Sequence, residues 1–270
     1  MSITKNIYFS SLIGEREFNE DAHIIFKYNN IEVYGICDGH GGDKVSKLIS
    51  EVIPILIKKN KITYPINKQT ILTLYNNIQK KICSLPFGNE CGSTCILIII
   101  FNLNNKKVLY SINVGDSRAI LCSFVDNNKL INNLPYLIYP LSYDHKPIHP
   151  LERKRIEQMG GIIKMDGTTF RIGDLSLWRA FGDCDNIYTH PTPDITHKTI
   201  IQNDKFVVIA CDGLFDVVDN ETVINIILSL CYNNKGIRKN KQMNIADLLA
   251  NHAIENGSTD NVSVIVVFFD

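Results

Sequence analysis

Two hydrophobic rhythms alternate along the chain. Ile7 to Ser11, Ala22 to Tyr28 and Ile31 to Cys37 are short runs rich in β-branched and aromatic residues, and Asn29-Asn30 suits a hairpin turn between the last two. From Asp43 to Ile57 the spacing changes. Val45, Leu48, Ile49, Val52, Ile53 and Leu56 recur every three or four residues, which predicts a helix that Pro54 ends or kinks. A second helix is predicted over roughly Lys68 to Cys83, with Ile71, Leu74, Tyr75, Ile78 and Ile82 on one face. Strand character returns at Thr94 to Asn102, Lys107 to Asn113 and Arg118 to Phe124, a meander with good turn chemistry at Asn-Leu-Asn-Asn and Gly-Asp-Ser.

Asp126 to Pro140 lacks period and is rich in Asn and Pro, so a loop excursion is expected there. His149 to Met159 reads as a short charged helix, and Gly160 to Pro193 as a Gly-rich stretch with brief strands. The chain then offers a strand at Phe206 to Cys211, helices at Asn220 to Cys231 and Asn244 to Glu255, and a closing strand at Val262 to Phe268. Strands this close in sequence must pair antiparallel. Strand pairs, then helix pairs, then strands again predict an α+β arrangement in which helix pairs cover antiparallel sheets.

Composition narrows the picture. At 270 residues and 45% hydrophobic content the chain suits a single domain over 1–270. Lys plus Arg equals Asp plus Glu at 28 each, so no global field draws it to nucleic acid or an anionic membrane. The longest apolar run, Cys95 to Phe101, is far short of a membrane span. The N-terminus has no apolar signal region and no glycine at position two, so a cytoplasmic or nuclear protein is expected, with monomer as the default state. All eight cysteines are accordingly expected as reduced thiols, and Cys91 and Cys95 have no second pair at zinc spacing.

Chemistry enters with Asp38-Gly39-His40-Gly41-Gly42, an acid and an imidazole on a glycine-rich turn between a strand and a helix. Alone, this pentapeptide fits a tight turn with a capping aspartate as well as it fits a site. Other acids recur where strands begin or end: Glu20 and Asp21, Asp116, Asp212 and Asp216, and Asp260. Converging carboxylates repel unless cations sit between them, and all-oxygen ligands select hard ions such as Mg²⁺ or Mn²⁺. The residues therefore predict a carboxylate site for two or more metal ions.

Motifs along nearly the whole chain carry a resemblance. They are Gly14 to Ala22, Asp38 to Gly42, Gly92-Ser93-Thr94, Gly115 to Ala119, Asp144-His145-Lys146-Pro147, Gly160-Gly161, Arg179 to Asp183, Asp212 to Asp216 and Asp260-Asn261. In this order, from about Tyr8 to Phe269, the chain resembles the metal-dependent serine/threonine protein phosphatases of type 2C. The resemblance implies a central β-sandwich of two antiparallel sheets with a helix pair on each outer face, a four-layer αββα fold with metals at one end. Carried over residue by residue, it makes Asp38 the bridge between two metals. Asp212 and Asp260 complete the first, and Glu20 with the Gly39 carbonyl holds the second. Asp116, with Asp212 and Asp216, matches a weaker third site, Arg16 the phosphate-binding arginine, and His40 the general acid.

Those roles agree with the chemistry of a phosphate monoester. Two cations activate a bridging water for direct attack and offset phosphoryl charge, and an arginine fork clamps the phosphate. No cysteine sits in a phosphate-cradling loop, so a phosphocysteine route finds no support. The expected partners are phosphoprotein substrates. A catalytically silent binding module would be marked by a lost acid among Asp38, Asp212 and Asp260, and none is lost; a small-metabolite phosphatase stays open. The bland alternative for Arg16 is an ion pair with Glu15 or Glu20. Asp21 is expected to orient groups near Glu20, Asp144 and His145 to brace a turn, and Asp183 to cap a helix or form a salt bridge. Trp178, the only tryptophan, stands where the family usually has a small serine; it either packs beneath a surface loop or reshapes the substrate rim.

Overall fold

The computed structural model describes residues 6–125, 136–146, 150–166, 169–171, 177–233, 236–239 and 243–270. The strands β1 (Ile7–Leu12), β2 (Ala22–Tyr28), β3 (Ile31–Cys37) and the two-residue β4 (Gly39–His40) precede helices α1 (Lys44–Lys59) and α2 (Lys68–Cys83). Next come β5 (Gly92–Ser93), β6 (Cys95–Leu103), β7 (Lys106–Val114), β8 (Arg118–Phe124), β9 (Tyr136–Pro140) and α3 (Pro150–Gln158). The short β10 (Lys164–Asp166), β11 (Thr169–Arg171) and β12 (Phe181–Gly182) lead to β13 (Asp194–Ile200) and β14 (Asp204–Ala210). The chain closes with α4 (Asp212–Phe215), α5 (Asn220–Cys231), α6 (Ile245–Glu255) and β15 (Val262–Phe268).

Ten strands form two five-stranded sheets, ordered β1-β15-β14-β8-β9 and β13-β7-β6-β3-β2, and every pairing is antiparallel. The central strands read as unbroken apolar runs because both of their faces are buried. On β6, Leu97, Ile99 and Phe101 face the cluster under α1 and α2, while Ile96, Ile98 and Ile100 face the other sheet. On β15, Ile265 and Val267 enter that inter-sheet layer, and Val262, Val264 and Val266 pack beneath α5 and α6. Three apolar layers separate four layers of structure, so the αββα arrangement is as expected.

Helices α2, α5 and α6 begin where side chains accept their first free N–H groups. Asn67 accepts from Thr70 at 3.2 Å, Asp219 from Thr222 at 2.7 Å, and Asn244 from Ala246 at 3.1 Å. The helix α1 continues through Pro54 to Lys59 instead of ending there, held by the buried Val45, Ile49, Ile53 and Ile57. Such packing outweighs the ~3 kcal/mol that an interior proline costs.

Three expectations are corrected. Tyr136–Pro140, expected within a loop, is strand β9, while 126–135 lies outside the described residues. It is an edge strand, where proline is tolerated because one side needs no partner. The edge strand β13 was not expected at all, because Asp194, His197 and Lys198 give it a polar reading. The eight cysteines are not all thiols: Cys83 at the end of α2 is disulfide-bonded to Cys184, 101 residues away, and the other six are free and buried. No helix among the described residues is long and apolar enough to cross a membrane.

Candidate functional site

Antiparallel register brings the acids together. Ala22 pairs with Cys37, so Asp21 and Asp38 leave β2 and β3 side by side, and Ala210 pairs with both Val264 and Arg118. The turn before β15 carries Asp260, the turn after β7 carries Asp116, and α4 opens on Asp212 directly after β14. All of these segments meet at one pole of the sandwich. Local bonds hold them there: Thr94 N–H donates to the Asp38 carbonyl at 2.9 Å, and the Thr94 hydroxyl accepts from Asp38 N–H at 3.2 Å. Asn261 accepts from Glu20 N–H at 2.8 Å and donates to the carbonyls of Ile13 and Phe18. A Cβ on Gly39 would stand 2.4 Å from the Glu20 carbonyl oxygen, so only glycine lets the two chain segments approach this closely.

The electrostatics are those of crowded anions. Burial, with the charges of Asp212, Asp21, Asp116 and Asp260 around it, raises the Asp38 carboxyl well above its ordinary range. Burial raises Asp116 to about 8, with Asp212 adding to it, and raises Asp212 to about 6, with Asp216 adding to it. Asp21 is pushed up to about 7 by burial first, and also by Asp212 and Asp260. Both carboxylate oxygens of Asp21 and of Asp116 are out of solvent and without a hydrogen-bond partner. Buried acids are normally satisfied, so these orphaned oxygens fit a cation. Candidate ligand atoms of Asp21, Asp38 and Cys211 all lie within 4.8 Å of one another. Asp21, expected only to orient its neighbours, therefore stands in the middle of the cluster.

The remaining predicted residues surround it. Arg16 is on the exposed rim and donates to Asp260 at 2.8 Å, an ion pair with a partner other than the Glu15 or Glu20 considered from sequence. His40 lies on β4, which pairs with β5 through Gly92, and its Nε2 is 2.9 Å from Asp183. A Cβ on Gly92 would fall 2.2 Å from that Nε2 and 2.5 Å from the Asp183 carboxylate, so the pair needs a glycine beneath it. Burial lowers the His40 pKa, but the hydrogen bond and charge of Asp183 outweigh this and raise it overall. Asp183 is thus an ion-pair partner of the predicted acid, and α2 steadies its loop: Gln79 bonds Gly182 in both directions, at 2.8 and 2.9 Å.

Asp144 and His145 brace a turn as expected. Arg118 grips Asp144 at 3.0 and 2.7 Å, and His145 Nδ1 accepts from Gly115 N–H at 2.9 Å. Lys146, to which no role was given, lies within reach of both Asp216 and Asp116. Arg179 points away from the acids and joins Glu152 of α3 to Asp194 of β13. Trp178 is 1% exposed against Ile156, Ile163 and Tyr188, which makes it core beneath the α3 segment and not part of a substrate rim.

Residues 6–262 match the sequence profile of the family described as Protein phosphatase 2C, and the chain belongs to that family. It is 30% identical over 294 aligned residues to the human (Homo sapiens) integrin-linked kinase-associated serine/threonine phosphatase 2C, covering 96% of this chain and 71% of that protein. A solved serine-threonine phosphatase 2C from Toxoplasma gondii superimposes with a TM-score of 0.77 at 21% identity, covering 98% of this chain and 94% of that one. A C. elegans sex determining protein does so with a TM-score of 0.81 at 22% identity, covering 98% and 64%. Phosphatases of this family depend on Mg²⁺ or Mn²⁺, which the oxygen-rich donor set of this pole suits.

Proposed function

We propose that residues 1–270 form one catalytic domain that hydrolyses phosphoserine and phosphothreonine in proteins. Its metal ligands are Glu20, Asp38, the Gly39 carbonyl, Asp116, Asp212, Asp216 and Asp260, holding at least two ions and a weaker third. The carrying observation is the meeting of acids from separate chain segments at one pole, with raised pKa values and orphaned oxygens. When bound, Mg²⁺ or Mn²⁺ supplies acidification of a nucleophilic water and neutralisation of phosphoryl charge.

The protein's own residues supply the rest. Arg16, exposed beside Asp260, offers its planar fork to the phosphate from the rim. With Nε2 of His40 held by Asp183, Nδ1 is the nitrogen left to give a proton to the departing seryl or threonyl oxygen. The direct test is release of phosphate from phosphoserine and phosphothreonine peptides, with Mn²⁺ and with excess chelator. Hydrolysis should need the metal and return when it is restored. Full activity in chelator, or hydrolysis of small phosphometabolites but of no peptide, would overturn the assignment.

A further inference from the structure

Lys146 reaches into the acid cluster from a backbone that is anchored on its N-terminal side. The preceding residues are held by Tyr143 accepting from Asn113, by Asp144 against Arg118, and by His145 bonded through both its backbone and its ring to Gly115. From this anchor the ammonium stands 2.5 Å from Asp216 and 3.9 Å from Asp116. Asp116 is 1% exposed, and neither of its oxygens accepts a hydrogen bond. Asp216 is about half exposed, so the pocket opens to solvent on its side. The three acids assigned to the weaker third ion, Asp116, Asp212 and Asp216, therefore already face one positive charge supplied by the chain itself.

We propose that the Lys146 ammonium is a tethered counter-cation for this triad and exchanges with the third divalent ion. The inference rests on the metal reading above. A compact ammonium on a flexible four-carbon stem can swing out while the backbone stays in place, which the rigid fork of an arginine would do less readily. The same carboxylate oxygens cannot be held in contact by an ammonium and a divalent ion together, since two like charges would then share one short-range site. Lys146 thus opposes the third ion when it is present and shields Asp116 and Asp216 from each other when it is absent. Asp38, on which the two tighter sites centre, has no lysine among the charges that shift it, whereas Asp212, shared between the first site and the third, does feel Lys146, so the effect falls chiefly on the weaker site.

Isothermal titration of metal-stripped protein with Mn²⁺, on the wild type, Lys146→Met and Lys146→Arg, tests this without any assay of activity. In Lys146→Met the weakest binding step should tighten by about 5–150-fold, the usual range for coupling between two sites, and by more than either tighter step. The same variant should melt lower than wild type in chelator and no lower at saturating Mn²⁺. Lys146→Arg, which keeps the charge but swings out less readily, should melt near the wild type in chelator and show no tightening of the weakest step. A weakest step that is unchanged or loosened in Lys146→Met would overturn the proposal, as would equal melting temperatures in chelator. If wild-type protein took up no Mn²⁺ at any step, the metal reading itself would fall, and this proposal with it.

Discussion

The imidazole of His40 and the carboxylate of Asp183 meet at 2.9 Å across 143 residues of sequence, over a glycine that leaves them room. The pairing keeps His40 charged to higher pH than a free imidazole, as a proton donor requires. A seryl or threonyl alkoxide needs a proton on leaving, whereas an aryl phenolate does not, and general acid catalysis is worth about 10²–10⁴ in rate. Replacing His40 with Gln should slow phosphopeptide hydrolysis by that order and spare an aryl phosphate. Rates on both substrates at saturating Mn²⁺ decide the matter; an equal fall in both would leave His40 a structural residue.

The crowded acids predict how the metal-free protein responds to pH. Asp21, Asp116 and Asp212 are raised from 3.8 to about 7, 8 and 6, so between roughly pH 4 and 8 the folded chain holds protons that the unfolded chain has released. Their contribution to stability is full below the unfolded pKa and disappears as pH rises through the folded values. Melting temperature in chelator should therefore fall from pH 5 to pH 8. Saturating Mn²⁺, which binds the ionised form, should flatten or reverse the slope. A flat profile in chelator would mean that the carboxylates do not converge in solution.

Much of this was legible in the residues. Apolar runs placed β3 and β14 because a strand buried on both faces shows itself without any partner in view, and the acids beside them marked the pole. What stayed hidden depends on a neighbour far away in sequence. The edge strand β13 is polar and becomes a strand only through its pairing with β7. Cys83 and Cys184 carry no spacing pattern, and their bridge follows from α2 lying beside the loop after β12. Asp183 and Lys146 sit inside recognisable motifs, yet their roles are set by His40 and Asp216, which only the fold brings near.

Trp178 offers a probe of the α3 segment. Since it is the only tryptophan and is 1% exposed, intrinsic emission should be blue-shifted in the folded protein and move to the red when this segment opens. Truncating a buried aromatic of this size costs about 3–5 kcal/mol. Trp178→Ala should thus loosen Ile156, Ile163 and Tyr188 around it, seen as faster amide exchange in α3 than in β6. Uniform acceleration across both elements would show that the α3 segment does not unfold separately.

Arg16 separates a surface ion pair from a substrate clamp. Its side chain is 56% exposed and its partner Asp260 38%, and pairs this open to water contribute only about 0–1 kcal/mol to stability. Arg16→Ala should accordingly leave the melting temperature almost unchanged. A charge-assisted hydrogen bond to phosphate is worth about 1.5–3 kcal/mol, so the same variant should lose roughly 10- to 150-fold in kcat/KM on phosphopeptides. Arg16→Lys restores the charge but not the planar fork, and should recover only part of that loss. The comparison also separates an indirect effect through Asp260: if Arg16 acted only by positioning that acid, Mn²⁺ affinity would change and activity at saturating Mn²⁺ would return to the wild-type level. A deficit that persists at saturating metal places Arg16 on the substrate, and its disappearance would remove Arg16 from the phosphate site.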